Sequence, residues 1–327
     1  MTTVALTRPA LRPALRALAI ASCLPYLALK IAWISGSRLG IPEHSLLLEH
    51  RAFMALANGG TVLMDGCVIV LALLLTRPWG LRVKAWLLAL PMWLATGLLA
   101  PVMTGYPLQL LVRALSGTAG RPSDPASAPY LDEWVFGVVY TGFIIQGLTL
   151  GTLFALYARD RWGHLWRGRT GELPQGTVRP ATRTAAVAVA VLSLLPAGMH
   201  ALWSTGSATG LSPSMADGRT SDQYVVEALF AAFAVVGAAG VLMLAFGLGR
   251  SLPLRVPLAL AWLGSGATAC WGGWLWLSAL MVTDGTPEEP TTMMHLTYSV
   301  QMIIGMLVVT MGTYFFAERS RHPDPTT

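Results

Sequence analysis

The sequence predicts an all-α polytopic membrane protein, with eight transmembrane helices arranged as two parallel four-helix repeats. Three observations carry that reading. The composition is apolar and poor in charge, with 54% hydrophobic and 12% charged residues. Eight apolar stretches each come near the ~20 residues that a ~30 Å hydrocarbon core demands. Local matches recur in the same order in the two halves of the chain, which is the signature of a duplicated unit.

The stretches fall at 15–36, 53–76, 83–104, 132–157, 183–204, 224–248, 256–281 and 293–316. Helix 1 follows Arg8, Arg12 and Arg16, and Arg77, Arg82 and Lys84 join helices 2 and 3. Helices 4 and 5 are joined by Arg159, Arg161, Arg167, Arg169, Arg179 and Arg183, helices 6 and 7 by Arg250 and Arg255, and Arg319 and Arg321 follow helix 8. Basic residues concentrate in cytoplasmic loops, so both termini are expected inside a bacterial cytoplasmic membrane. The opposite loops hold Glu43, Glu49, Asp124, Asp132, Glu133, Asp217, Asp222, Asp284, Glu288 and Glu289 against five arginines. The net charge of +6 is therefore topology, with some attraction to anionic lipid, and calls for no nucleic acid. Ile20-Ala21-Ser22-Cys23 has the look of a lipoprotein processing box, but a cut there would remove half of helix 1, so an uncleaved span is the reading. Cys23, Cys67 and Cys270 all lie in spans and form no disulfide framework or C-x-x-C motif. The loop 106–130 opens with an amphipathic run, 108–115, read as an interfacial or re-entrant segment.

Helix 1 ends in Lys30-Ile31-Ala32-Trp33-Ile34-Ser35-Gly36-Ser37 and helix 5 in His200-Ala201-Leu202-Trp203-Ser204-Thr205-Gly206-Ser207. Arg77 to Val83 matches Arg250 to Val256 one loop later, and Tyr140 and Gly147 find an echo in Tyr298 and Gly305. These matches divide the chain into residues 1–170 and 171–327, and an even number of spans per copy gives repeats of the same orientation. The [KH]-x-x-W-x-x-G element resembles a signature of small, uncharacterised bacterial membrane proteins of four helices, which read H-x-x-W-x-x-G-G. The resemblance covers about eight residues in each half, supports the duplication and implies no activity. Aligned on the loop match, Asp65 faces Ala238, and Glu227 faces Met54. The acids belong to one copy each, which suits groups tied to a task, with divergence by drift as the alternative.

Asp65 lies in the apolar stretch 53–76, about twelve residues or roughly 18 Å below the external end of its helix. A carboxylate there costs several kcal/mol unless it is paired, protonated or wetted. It is the first candidate catalytic residue, with a polar contact to Asn58, Thr61, Tyr140 or Gln146 as the structural alternative. Glu227, Glu133 and His200 are further acid or base candidates. Glu133 and Asp132 also suit a helix N-terminus, whose dipole favours negative charge. Lys30 and His200 sit just under interfacial tryptophans, where anchoring competes with pairing to a neighbouring acid. Neither these residues nor His50 and His295 show a zinc spacing, and no magnesium-binding Asp pair, Walker loop or G-x-S-x-G elbow occurs, so no metal and no cofactor is expected.

Twelve Trp occur, and Trp271, Trp274 and Trp276 crowd helix 7 beside Gly272 and Gly273. Trp faces stabilise a cation by about 2 kcal/mol or more each when desolvated, while the glycines permit either a pocket or a close helix crossing. Lys30, Tyr140, Trp271, Trp274 and Tyr298 are thus the candidate substrate-binding residues. The reaction that suits a mid-membrane acid near tryptophan faces is protonation-initiated cyclisation of a prenyl chain. It is similar, in chemistry only, to that of integral-membrane terpene cyclases, an isomerase or lyase activity on a lipophilic small molecule. A proton-coupled transporter with Asp65 as its proton site, or an accessory membrane protein, is the alternative.

Overall fold

A computed structural model describes residues 8–43, 45, 51–116, 131–173, 180–282 and 285–321. Long helices occupy each apolar stretch: α1 (Arg8–Ile34), α2 (Arg51–Leu74), α3 (Ala85–Leu115), α4 (Glu133–Trp162), α5 (Pro180–Ser204), α6 (Ser221–Phe246), α7 (Arg255–Ala279) and α8 (Thr292–Arg321). No strand occurs among the described residues; Arg169 and Pro253 form an isolated bridge. Seven helices are long and apolar enough to cross a membrane. Helix α7 is not among them, because its four Trp and four Gly depress its hydropathy although its 25 residues match a span in length.

The surface is that of a protein solvated by lipid. Leu63, Leu115, Leu194 and Met306 lie 61–80% exposed, whereas Asn58, Asp65, Gln146, His200 and Gln301 are buried. In hydrocarbon the apolar side chains need no cover and the polar ones must find partners inside. The amphipathic run 108–115 is the last part of α3, which continues unbroken from Ala85 to Leu115. The Pro/Ser/Gly-rich stretch beyond it, with Asp124, and likewise Glu49, His50 and Asp284, lie outside the described residues.

The chain forms two compact units. Unit 1 comprises residues 1–95 and 110–161, and unit 2 comprises 96–109 and 162–327. In unit 1, the Tyr157 hydroxyl donates to the Gly80 carbonyl at 2.9 Å and Arg161 donates to the Val83 carbonyl at 2.7 Å, tying α4 to the 3₁₀ turn Pro78–Arg82. Gly80 is required there, since a Cβ would stand 1.8 Å from the Leu74 carbonyl oxygen. In unit 2, α6 crosses α7 through small residues. A Cβ on Gly240 would lie 2.3 Å from the Ala261 nitrogen, and one on Gly264 would lie 2.2 Å from the Gly237 nitrogen. Such backbone approach is how helices associate where no hydrophobic effect drives them together.

Each [KH]-x-x-W-x-x-G element closes on itself in the same way. The Trp33 indole N–H donates to the Leu39 carbonyl at 2.7 Å, and the Trp203 indole N–H donates to the Thr209 carbonyl at 2.9 Å, each across six residues. Gly36 and Gly40 have φ of 93° and 72°, and Gly206 and Gly210 have 99° and 76°, values that only glycine adopts without strain. The following turns dock similarly within their own units: the Asp132 N–H donates to the Gly40 carbonyl at 2.9 Å, and the Thr291 hydroxyl donates to the Gly210 carbonyl at 2.5 Å.

Candidate functional site

Each unit holds one buried polar cluster. In unit 1 the cluster is built from α1, α2 and α4. Asp65, 4% exposed, accepts a hydrogen bond from the Gln146 amide on Oδ1 at 3.1 Å, and Gln146 also reaches Cys23 Sγ at 3.2 Å. Oδ2 is buried and has no hydrogen-bond partner among the described residues. Lys30 donates to Asn58 Oδ1 at 2.7 Å, and its Nζ stands 4.7 Å above the Tyr26 ring and 5.2 Å above the Trp33 ring. Its charge lies within electrostatic range of Asp65, as does the Tyr26 phenol, which also feels Tyr140. Tyr140 is half-buried and stacks on Phe136 at 6.1 Å.

The helices explain why these groups meet. Lys30 and Trp33 are three residues apart on α1, and Asn58 and Asp65 are seven apart on α2, so each pair shares a helix face. Among the structural partners the sequence offered for Asp65, the structure selects Gln146 for its hydrogen bond. Behind this cluster α1 and α4 border an apolar groove of two adjoining clefts, about 640 and 420 Å³, which share Pro25, Trp134 and Val138. Ser22 and Ile145 line the groove, and their chain neighbours Cys23 and Gln146 are buried against Asp65.

In unit 2 the cluster is built from α5, α6 and α8. His200 Nδ1 lies 2.5 Å from Glu227 Oε2, and His200 Nε2 lies 2.9 Å from Gln301 Nε2. Trp203 meets the imidazole edge-on at 5.0 Å and Phe230 lies tilted at 5.2 Å. Trp271 continues the aromatic row, 5.5 Å from Phe230, with its N–H donated to the Leu98 carbonyl at 3.1 Å. Tyr298 is buried with Met199, Trp203, Leu211 and Met294, within electrostatic range of Glu227. Lys30 meets Asn58 across 28 residues and His200 meets Glu227 across 27. By this sequence separation Glu227 pairs off with Asn58, about one helical turn from the Met54 that the loop match set against it.

The sequence candidates thus fall into two groups and two outliers. Asp65, Lys30 and Tyr140 belong to the first cluster, and His200, Glu227, Trp271 and Tyr298 to the second. Glu133 is exposed in the first turn of α4, where the helix dipole favours it, and Trp274 is 43% exposed. Gly272 serves a close crossing, since a Cβ there would lie 2.5 Å from Gln301 Cβ. Gln301 is the residue sequence reasoning missed. Its signal was an amide three residues beyond Tyr298, on the same face of an apolar helix. Among the described residues no group of three or more His, Cys, Asp or Glu is placed to hold a metal ion. No family model, curated protein or solved structure matches the chain.

Proposed function

We propose that the chain is a membrane-embedded enzyme that takes a lipophilic, prenylated substrate from the bilayer and protonates it to start cyclisation, with Asp65 as the acid. In this reading eight spans form two parallel four-helix units, residues 1–170 and 171–327, in a bacterial cytoplasmic membrane with both termini inside. The shared indole-to-carbonyl closures at Trp33 and Trp203 support the duplication. The 25-residue length of α7 supports its counting as a span.

The observation that carries the activity is the asymmetry of the Asp65 carboxyl. Oδ1 is held by the Gln146 amide, while Oδ2 is buried without a partner among the described residues. An ionised carboxylate spreads its charge over both oxygens and would leave half of it uncompensated in a medium where that is costly. The neutral acid, with its carbonyl at Oδ1 and its hydroxyl at Oδ2, matches the arrangement and has a proton to give. Transfer of that proton to a carbon–carbon double bond forms the carbocation and leaves the carboxylate near the Lys30 ammonium. Loss of a proton from the cyclised cation returns the acid. The apolar groove between α1 and α4, one residue removed from Gln146 and Cys23, suits an isoprenoid chain arriving from lipid.

A second reading, proton-coupled transport, is favoured by one specific observation. Unit 2 has its own buried acid–base pair, His200 and Glu227, which an enzyme needing one acid does not require. Product formation from a farnesylated aromatic substrate, assayed in membranes beside proton flux in sealed vesicles, separates the two. The enzyme reading expects product that Asp65→Asn abolishes and no substrate-driven flux. Flux without product overturns it in favour of transport.

A further inference from the structure

The second cluster does something the Asp65 chemistry does not use. We infer that Glu227, His200 and Gln301 form a proton-exchange site in unit 2, in which the Gln301 amide, given room by Gly272, keeps the imidazole hydrogen-bonded whether or not it carries an extra proton. The ligand is a proton drawn from the aqueous phase, and Glu227 is its point of entry.

The graded exposure of the three residues supplies the direction. The Glu227 side chain is 12% exposed, His200 is 1% exposed and Gln301 is fully buried. Of the three, the Glu227 side chain is the one nearest the surface, so the proposed route of a proton to the imidazole runs through it. In the resting form the Nδ1–H of a neutral imidazole donates to the Glu227 carboxylate, and the bare Nε2 accepts from the Gln301 amide N–H. The Gln301 carbonyl oxygen, buried, has no hydrogen-bond partner among the described residues. When one proton is gained the imidazole becomes an imidazolium with N–H on both sides. A half-turn of the Gln301 amide then brings that free oxygen onto the Nε2–H, and nothing the oxygen held before is lost. A residue with only a donor would face the imidazolium N–H donor to donor, and one with only an acceptor would leave the bare Nε2 of the neutral form without its hydrogen bond, whereas the amide can present either end to the ring while its other end stays unpaired in both states. The amide serves both. The titratable groups facing the imidazole are Glu227 from α6 and, through Glu227, the Tyr298 phenol from α8. The aromatic rings against it, Trp203 and Phe230, are uncharged.

Gly272 completes the site from α7. A Cβ at this position would come within 2.5 Å of Gln301 Cβ and 2.9 Å of Gln301 Oε1, the atom that has to turn. The glycine in Trp-Gly-Gly-Trp is therefore a requirement of the amide as well as of the crossing.

Solution or solid-state NMR of the full chain in nanodiscs, with the imidazole nitrogens labelled, reads the site directly. His200 is assigned by the signals lost in His200→Phe. As pH is lowered from 9 to 5, the wild type is expected to convert reversibly from the neutral form protonated at Nδ1 to the imidazolium. Asp65→Asn should leave that conversion unchanged, which separates this site from the proposed activity. Gln301→Leu, which fills the space without an amide, should abolish the conversion, and Gly272→Ala should broaden or impair it. Where a variant does not fold, the wild-type titration still decides. A His200 that keeps one state across the range, or a folded Gln301→Leu protein that titrates as the wild type does, overturns the inference.

Discussion

A single buried oxygen carries most of the weight at the residue scale. If Asp65 rests as the neutral acid, the infrared spectrum of the protein in lipid at neutral pH contains a protonated-carboxyl C=O stretch that Asp65→Asn removes. Persistence of that band in the variant would assign it to another group. Asp65→Leu is expected to keep or raise the thermal unfolding temperature, since replacing a buried polar group by a packed apolar one is often neutral or stabilising. A role confined to packing would show the reverse, with Asn tolerated and Leu destabilising. The glycines give a finer comparison. Gly36 and Gly40 both have positive φ, but a Cβ on Gly36 meets nothing, whereas one on Gly40 stands 2.4 Å from Val135. Gly36→Ala is expected to cost about 1 kcal/mol through backbone strain alone, and Gly40→Ala distinctly more, as measured by denaturant unfolding in detergent. The burial of Asp65 in a polar contact was legible because a charge in an apolar run is conspicuous. Its hydrogen-bond partner was narrowed to four side chains and no further, because helical periodicity fixes the face a residue occupies and leaves the neighbouring helix open.

At the scale of elements, length and hydropathy placed the helices well, because a bilayer imposes the same thickness on each of them. They failed for the run 108–115, where amphipathic character was read as a separate segment and α3 simply continues. They counted α7 as a span, whereas it is not among the seven helices apolar enough to cross a membrane, since its indoles and glycines lower the hydropathy that marks a span. Gln301 went unremarked for a related reason. An uncharged amide costs less in hydrocarbon than a carboxylate and so stands out less, although it is hydrogen-bonded to His200 in the second cluster. The α6/α7 crossing gives the prediction at this scale. Gly240→Leu drives a side chain into the Ala261 backbone and should lower the unfolding temperature, in line with the ~1–3 kcal/mol typical of overpacking. Gly312→Leu, on α8 where a Cβ meets nothing within 4 Å, should leave it unchanged.

For the whole molecule, topology is the first expectation. Reporter fusions after residues 40, 120, 170, 215 and 327 should read external, external, cytoplasmic, external and cytoplasmic, following the alternation of basic loops. A cytoplasmic reading at 120 would break the count of spans. The shared turn of the two [KH]-x-x-W-x-x-G elements was legible in the sequence, because a turn that needs an indole and two glycines constrains sequence tightly. The register of α6 was not, because a loop match does not fix where along a smooth apolar helix its partner contacts fall. What the two units do together rests on whether a proton from this protein reaches a carbon atom, and the most direct measurement is the reaction run in heavy water. In the proposed mechanism the proton on Asp65 is replaced from solvent between turnovers, so a cyclised product formed by the purified protein in lipid should carry one deuterium at the carbon protonated in the first step, detected as a one-unit mass increase. Product lacking that deuterium, or an equal yield of labelled product from Asp65→Asn, would contradict the account.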